Sequence, residues 1–402
     1  MLEVTTKTKP NPNWAKLPLF DRSKWDTLPF GAFADCISER AHPVEFADAI
    51  YVGLEHLDPE NLHIRRWGKG SDVEGVKLRF YKGDIIFGRR RAYQRKLAVA
   101  EVDGICSAHA MVLRAKPELC LPEFLPFLMM SDAFMKRAVE ISVGSLSPTI
   151  SWGVLKQQQF ALPPLDQQRR IAELLWAVDD DLQHCNDLIG ASEDVMRTMA
   201  EEECWNAAFE LKPIVSIAHQ AIGSFVDGDW IESKDQSPSG IRLIQLADIG
   251  EGEFLNKSDR WISDETFHRL KCTEVLPGDI LISRMAEPIG RACIIPDLGQ
   301  KMITGVDCTI VRLDSQKHDA SYWISLTNTR KWRNMVESNA GGSTRMRISR
   351  KRLEALQVPI PDIQYQQQVS SRINQVNQAL LATRSKADST MQLMQSILGM
   401  IS

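Results

Sequence analysis

The feature that most restricts what this chain can fold into is an internal repeat with a period near 195 residues. Leu243-Ile-Gln-Leu-Ala-Asp-Ile249 echoes Tyr51-Val-Gly-Leu-Glu-His-Leu57 at an offset of 192, and Pro277-Gly-Asp-Ile-Leu-Ile-Ser-Arg284 echoes Lys82-Gly-Asp-Ile-Ile-Phe-Gly-Arg89 at 195. At 198, Gly342-Ser343 through Ile348-Ser349 follows Gly144-Ser145 through Ile150-Ser151, and Val358-Pro-Ile-Pro-Asp-Ile-Gln364 follows Phe160-Ala-Leu-Pro-Pro-Leu-Asp166. A single Gly-Asp-Ile match would mean little. Four blocks in the same order with small drift require two copies of one α/β (α+β) module.

Each copy opens with short strand and helix patterns and closes, after a proline-rich breaker, in a long helical pattern. The 198 offset carries Ile171 onto Val369, Leu175 onto Ile373, Val178 onto Val376, Leu182 onto Leu380, Met196 onto Met394 and Met199 onto Ile397. The first stripe also takes in Leu174, Cys185, Leu188 and Val195. A helix of about 35–40 residues with one narrow apolar stripe is not stable alone. The cheapest partner is the other copy, which predicts a coiled-coil-like pair about 50–60 Å long, separating two globular modules. The competing expectation is that each pattern breaks into two core helices, with Gly190 as the break. The boundaries expected on this basis are a tail at 1–27, a first module at 28–164, a helix at 165–205, a second module at 206–361 and a helix at 362–402.

The 402 residues carry a net charge of −4, with 44% hydrophobic and 25% charged residues, which fits ordinary globular domains and excludes disordered, collagen-like and membrane-embedded classes. The eight cysteines show no C-x-x-C pair and no clustering with histidine, so neither a zinc site nor a disulfide framework is indicated. Lys7 and Lys9 are followed by no apolar stretch of signal-peptide type, and no window is long and apolar enough for a membrane span. A soluble cytoplasmic protein with reduced thiols is expected.

The near-neutral average hides a segregated charge. Residues 61–100 contain eleven Lys or Arg against three acids, a net of +8, and residues 330–352 contain eight against Glu337, a net of +7. Residues 171–210 contain eleven acids against Arg197, a net of −10. A basic run is often only a solvated face, but a patch on each of two repeated modules suits a reader of two DNA half-sites. Arg89, Arg90 and Arg91 after the strand-like Asp84-Ile-Ile-Phe87, with Arg284 at the matching place, are the first candidates to face a groove. Arg65, Arg66, Lys69, Arg95 and Lys96 extend the first patch. The loops at Gly144-Ser145 and Gly341-Gly342-Ser343, the second followed by Arg345, Arg347 and Arg350, could bring backbone N–H groups to a phosphate. Trp67 and Tyr81 are assigned to the core, and Tyr93 could stack. The acidic helix would stay off the phosphates or face a partner.

Catalytic parts are missing. The chain's one Pro-Pro, Leu162-Pro163-Pro164-Leu165, lacks the polar and aromatic flanks of an amino-methyltransferase loop, and neither G-x-G-x-x-G nor a P-loop occurs. Asp227, Asp229, Glu232 and Lys234 are the nearest approach to a metal nuclease, but the aspartates sit too close together for strand-separated ligands. No metal site and no resident cofactor are expected.

Two modules, each followed by a proline-containing segment and a Gln-rich helix start, resemble the specificity subunit of type I restriction-modification systems. The residues are Leu162-Pro-Pro-Leu-Asp-Gln-Gln-Arg-Arg-Ile171 and Ile360-Pro-Asp-Ile-Gln-Tyr-Gln-Gln-Gln-Val369. The second copy departs at Asp362 and at Gln364-Tyr365. The resemblance implies a non-catalytic subunit with two target recognition domains, each reading half of a bipartite, asymmetric double-stranded DNA target across a gap set by two antiparallel helices. It also implies docking of two methyltransferase subunits that hold S-adenosylmethionine, and of a motor-nuclease subunit. Gln167, Gln168, Arg169, Gln366 and Gln367 would contact those partners. The alternatives are a coiled-coil adaptor and a free-standing DNA-modifying or DNA-cleaving enzyme.

Overall fold

The computed structural model describes residues 17–221, 223–285, 288–342 and 345–401. The described residues form two compact units, one from 17–185 together with 386–401, the other from Asn186 to Ser385. Both predicted long helices are present, Leu165–Cys204 and Ile363–Met400, and the first runs through Gly190 without interruption. Each helix gives one half to each unit, so each unit holds a globular module and an antiparallel helix pair.

In the first unit, an antiparallel sheet runs in the order Ala34–Ile37, Met111–Ala115, Ile85–Phe87, Leu97–Val99. The second unit repeats the order with Phe225–Asp227, Cys308–Val311, Ile280–Ser283, Ala292–Ile294. These central strands are buried on both faces, which is why they read as continuous apolar runs. A two-stranded ribbon leads into each long helix: Asp26–Pro29 pairs with Gln159–Leu162, and Leu211–Pro213 with Gln357–Pro359.

The repeat extends to ion pairs made by buried aspartates. Asp84, at the start of a central strand, takes both Arg114 Nε and Nη2 at 2.7 and 2.9 Å and accepts the backbone N–H of Tyr81 at 2.8 Å. Asp279, 195 residues on, takes Arg312 Nε and Nη2 at 2.9 and 2.7 Å and the N–H of Leu276 at 2.8 Å. Two parallel charge-assisted bonds fix both partners' orientation, so each pair locks neighbouring strands in register.

The helices join their modules through the predicted stripe. Ile171, Leu175 and Val178 enter the first core beside Met394, Ile397 and Leu398 of the second helix. Val369 and Ile373 pack in the second core. The stripe is narrower than its sequence pattern, because Leu174, Leu188 and Val195 are exposed. Part of the acidic surplus is spent internally: Asp181 pairs with Lys386 at 2.6 Å in one unit, while Glu203 and Glu193 pair with Arg372 and Arg384 in the other. All eight cysteines are free thiols, seven of them buried. Trp67 is 56% exposed, contrary to its assignment to the core, and Tyr81 is half-buried beneath the Arg79 guanidinium, 4.8 Å from its ring centroid.

Candidate nucleic-acid interface

In the first module the basic run leaves the sheet where strand Ile85–Phe87 ends. Arg91 takes a left-handed backbone (φ 58°), a conformation that costs a non-glycine residue about 1 kcal/mol, and its N–H donates to Pro148 O at 2.7 Å. Ile150 N–H donates to Arg89 O at 3.1 Å, so the run is tied to the Gly144-Ser145 loop from both sides. That loop is a tight ribbon: Val143 and Thr149 exchange backbone bonds of 3.1 and 3.0 Å, and Gly144 turns it with φ 121°. Arg90 Nη2 donates to Ser147 Oγ at 3.2 Å, and Arg89 Nη2 to Ala108 O at 3.0 Å. Arg91, Gly144 and Ser145 are exposed.

The second module builds the same ribbon. Gly341 and Arg347 exchange backbone bonds of 2.9 Å, Gly342 sits at φ 117°, and Ile348 N–H donates to Arg284 O at 2.9 Å. Arg345 is exposed, whereas Arg347 pairs with Asp307 at 3.0 Å. The Gly341 N–H is spent within the ribbon and is not offered to a phosphate. Ser343 lies outside the described residues.

Several predicted contacts are internal. Arg284 is 3% exposed: its guanidinium donates to the Val306 and Ile348 carbonyls and pairs with Asp227, and burial pulls its pKa below the ordinary arginine value. It braces the ribbon instead of facing a groove. Arg95 is held by Glu60, Asp132 and the Met130 carbonyl, Lys96 by the Leu54 carbonyl, and Arg350 by Phe225 O and Glu354. Arg65 donates to Gln183 and Arg66 pairs with Asp58, both at the surface, where exposed Lys69 also lies. What remains outward at the ribbons is Arg91 and Arg345, while Arg90 is half-buried against Ser147 and His109. Acids distant in sequence neutralise much of the rest, and a charge count along the chain cannot register them.

The glutamines at the helix starts are also internal. Gln168 is fully buried: its Oε1 accepts the Leu121 N–H, and its Nε2 donates to Leu119 O and Pro163 O, each at 2.8 Å. Gln366, 198 residues on, accepts the Asp319 N–H at 2.9 Å and donates to Pro361 O at 2.8 Å and Lys317 O at 3.3 Å. Gln167 joins Trp25 Nε1 to Leu19 O. These three fasten each helix to its own module, while Arg169 and Gln367 remain exposed.

The alternative nuclease residues are dispersed into separate structural contacts. Lys234 pairs with Glu232, Asp227 pairs with Arg284, and Asp229 accepts the Thr273 N–H at 2.8 Å. Among the described residues no group of His, Cys, Asp or Glu could hold a metal ion, and no helix is long and apolar enough to cross a membrane.

Comparison with known proteins agrees with the repeat. The model of the type I restriction modification DNA specificity domain matches residues 69–188 and 244–387, once in each copy. The specificity subunit of the Escherichia coli type I restriction enzyme EcoDI is 29% identical over 173 residues, 40% of this chain and 37% of that protein. The putative type I restriction enzyme MjaX specificity subunit of Methanocaldococcus jannaschii is 20% identical over 380 residues, covering 87% of this chain and 85% of that one. The S subunit of a type I restriction-modification system from M. genitalium shares the fold, with a TM-score of 0.61 at 12% identity over 99% of both chains. So does a chain from a structure addressing complex assembly and conformational transition of a type I R-M system, with 0.59 at 21% identity over 94% of this chain and 97% of that one. With its two matched domains, its repeated sheet order and its paired long helices, the chain belongs to the type I restriction-modification specificity subunits.

Proposed function

We propose that the chain gives a type I restriction-modification complex its sequence specificity without doing chemistry itself. Each module reads one half of a bipartite, asymmetric duplex target. The carrying observation is the repeated ribbon anchored to a strand-end arginine, which holds Arg91 outward in one module and Arg345 in the other. Arginines at such a tip neutralise phosphates and set register, leaving neighbouring side chains to meet base edges. The helices set the gap between half-sites and dock two methyltransferase subunits, with Arg169 and Gln367 still available at the helix starts. S-adenosylmethionine belongs to those subunits, and a motor-nuclease subunit can join them.

Single-molecule methylome sequencing of cells expressing the chain with its neighbouring methyltransferase gene tests this directly. The expected result is methylated adenine in one bipartite motif that disappears when this chain is deleted. Methylation or cleavage by the purified chain alone would favour the enzyme reading, and no duplex affinity even with methyltransferase subunits present would favour an adaptor.

A further inference from the structure

The first ribbon carries an apolar tip. Leu146 is 88% exposed and Val143 78%, although residues 141–151 otherwise form a fixed structure tied to Arg89, Arg90 and Arg91. A lone exposed leucine is ordinary. This one is unusual in its setting: it stands at the end of a two-stranded ribbon, with three arginines at its base and no acid between Ile141 and Ser151. The surface complementary to cations around an apolar point is a duplex groove, in which phosphates flank the base edges.

The repeat sharpens the point. Between the copies the sequence keeps its Gly-Ser and Ile-Ser pairs, but Leu146 aligns with Thr344, Ser147 with Arg345 and Thr149 with Arg347. A shared anchor with divergent sequence beyond it is what two readers of different half-sites need. A two-stranded ribbon fits the major groove, where the apolar feature on offer is the C5-methyl group of thymine.

Resting on the DNA-reading assignment above, we propose that Leu146 is a specificity-determining residue that contacts a thymine methyl group in the half-site read by the first module. The aliphatic tip fills against the methyl, while Arg91 holds a flanking phosphate.

The test uses the full chain assembled with its methyltransferase subunits, on the duplex defined by the methylome. Each thymidine is replaced singly by 2′-deoxyuridine, which removes only the methyl group. Wild-type affinity should fall about 5- to 10-fold at one position, confined to one half-site. Leu146→Ala should lose a similar factor on the unmodified duplex, show no further loss with deoxyuridine at that position, and bind unrelated DNA and melt as wild type does. A flat deoxyuridine scan, an alanine variant that still senses the methyl, or one that binds with wild-type affinity overturns the proposal. So does an alanine variant that loses methyltransferase subunits but keeps its DNA discrimination, since Leu146 would then be a protein contact. Wild-type complex that fails to distinguish its duplex from unrelated DNA instead overturns the DNA-reading assignment itself.

Discussion

Gln168 Oε1 accepts the backbone N–H of Leu121 at 2.8 Å, binding the start of the first long helix to a turn 47 residues earlier in the chain. Gln366 and Asp319 repeat the contact in the second copy. Gln168→Leu would leave one N–H and two carbonyls without this partner, the Pro163 carbonyl fully buried and the other two groups partly so, and a buried unpaired group costs about 1–3 kcal/mol. The variant should be destabilised by about 2–4 kcal/mol, seen as a lower midpoint in thermal or urea unfolding. Arg169→Ala, on the exposed side of the same turn, should unfold like wild type. Equal effects from the two variants would show that Gln168 is not the fastening.

Arg114 and Asp84 make the corresponding lock inside the first sheet. Asp84 is almost fully buried, so Arg114→Leu strands a carboxylate with only the Tyr81 N–H for company. Removing one partner of a buried pair costs more than the pair contributes, but Arg114 is itself half exposed, so water tempers the loss to about 2 kcal/mol. Arg312→Leu should do the same in the second module. Chemical denaturation of both single variants and the double variant checks this, and the effects should add because the sites lie in separate units.

His63 gives the first module a pH dependence. Its Nε2 lies 2.6 Å from Asp179 Oδ2 on the long helix and its Nδ1 2.9 Å from Glu101 Oε1, with the Trp176 ring edge-on beside it. The hydrogen bond to Asp179 raises its pKa above the ordinary histidine value, against the opposing pull of burial, with Glu101 adding to the rise. A raised folded-state pKa means that the stabilisation is complete below the unfolded value of about 6.5 and is lost as pH climbs through the folded one. Melting of the wild-type chain should therefore fall between pH 6 and pH 9 by more than that of His63→Gln. Parallel curves for the two would remove His63 as the cause.

The helix pair and the doubled module could be read from sequence because they rest on local period and on repetition, and Ile171 with Val369 shows the shared stripe holding in space. The role of a polar side chain could not. Gln168 and Gln366 read as contacts for partner subunits until the turns at Leu121 and Asp319 engage them within the chain. Arg284 shares its place in the repeat with Arg89, yet Asp227 and the Val306 and Ile348 carbonyls close over it. Trp67 reads as core by residue type and lies at the surface, because composition carries no information about which edge of a small sheet goes uncovered.

Salt dependence separates outward arginines from inward ones. An arginine that neutralises a duplex phosphate contributes about 0.9 to the slope of log affinity against log salt. Arg91→Ala should lower that slope by about this amount while leaving unfolding nearly unchanged. Arg95→Ala should leave the slope alone and destabilise the chain instead, since it loses Asp132 and the Met130 carbonyl. Titrations at several salt concentrations with the assembled complex would expose the opposite pattern if the assignment were inverted.

Helix length is the last lever. Four residues removed from the middle of each long helix shorten it by about 6 Å and turn it by about 40° beyond a full turn, at 1.5 Å and 100° per residue. Duplex DNA rises 3.4 Å per base pair, so a gap set by the helices should shrink by one or two base pairs while both half-site sequences persist. Taking four residues from one helix alone would break the register of pairs such as Asp181 with Lys386 and Glu203 with Arg372, and should unfold the pair instead of resetting the gap. Methylome sequencing of the symmetric variant reads the gap directly, and an unchanged gap with both half-sites still methylated would rule out the helices as the ruler.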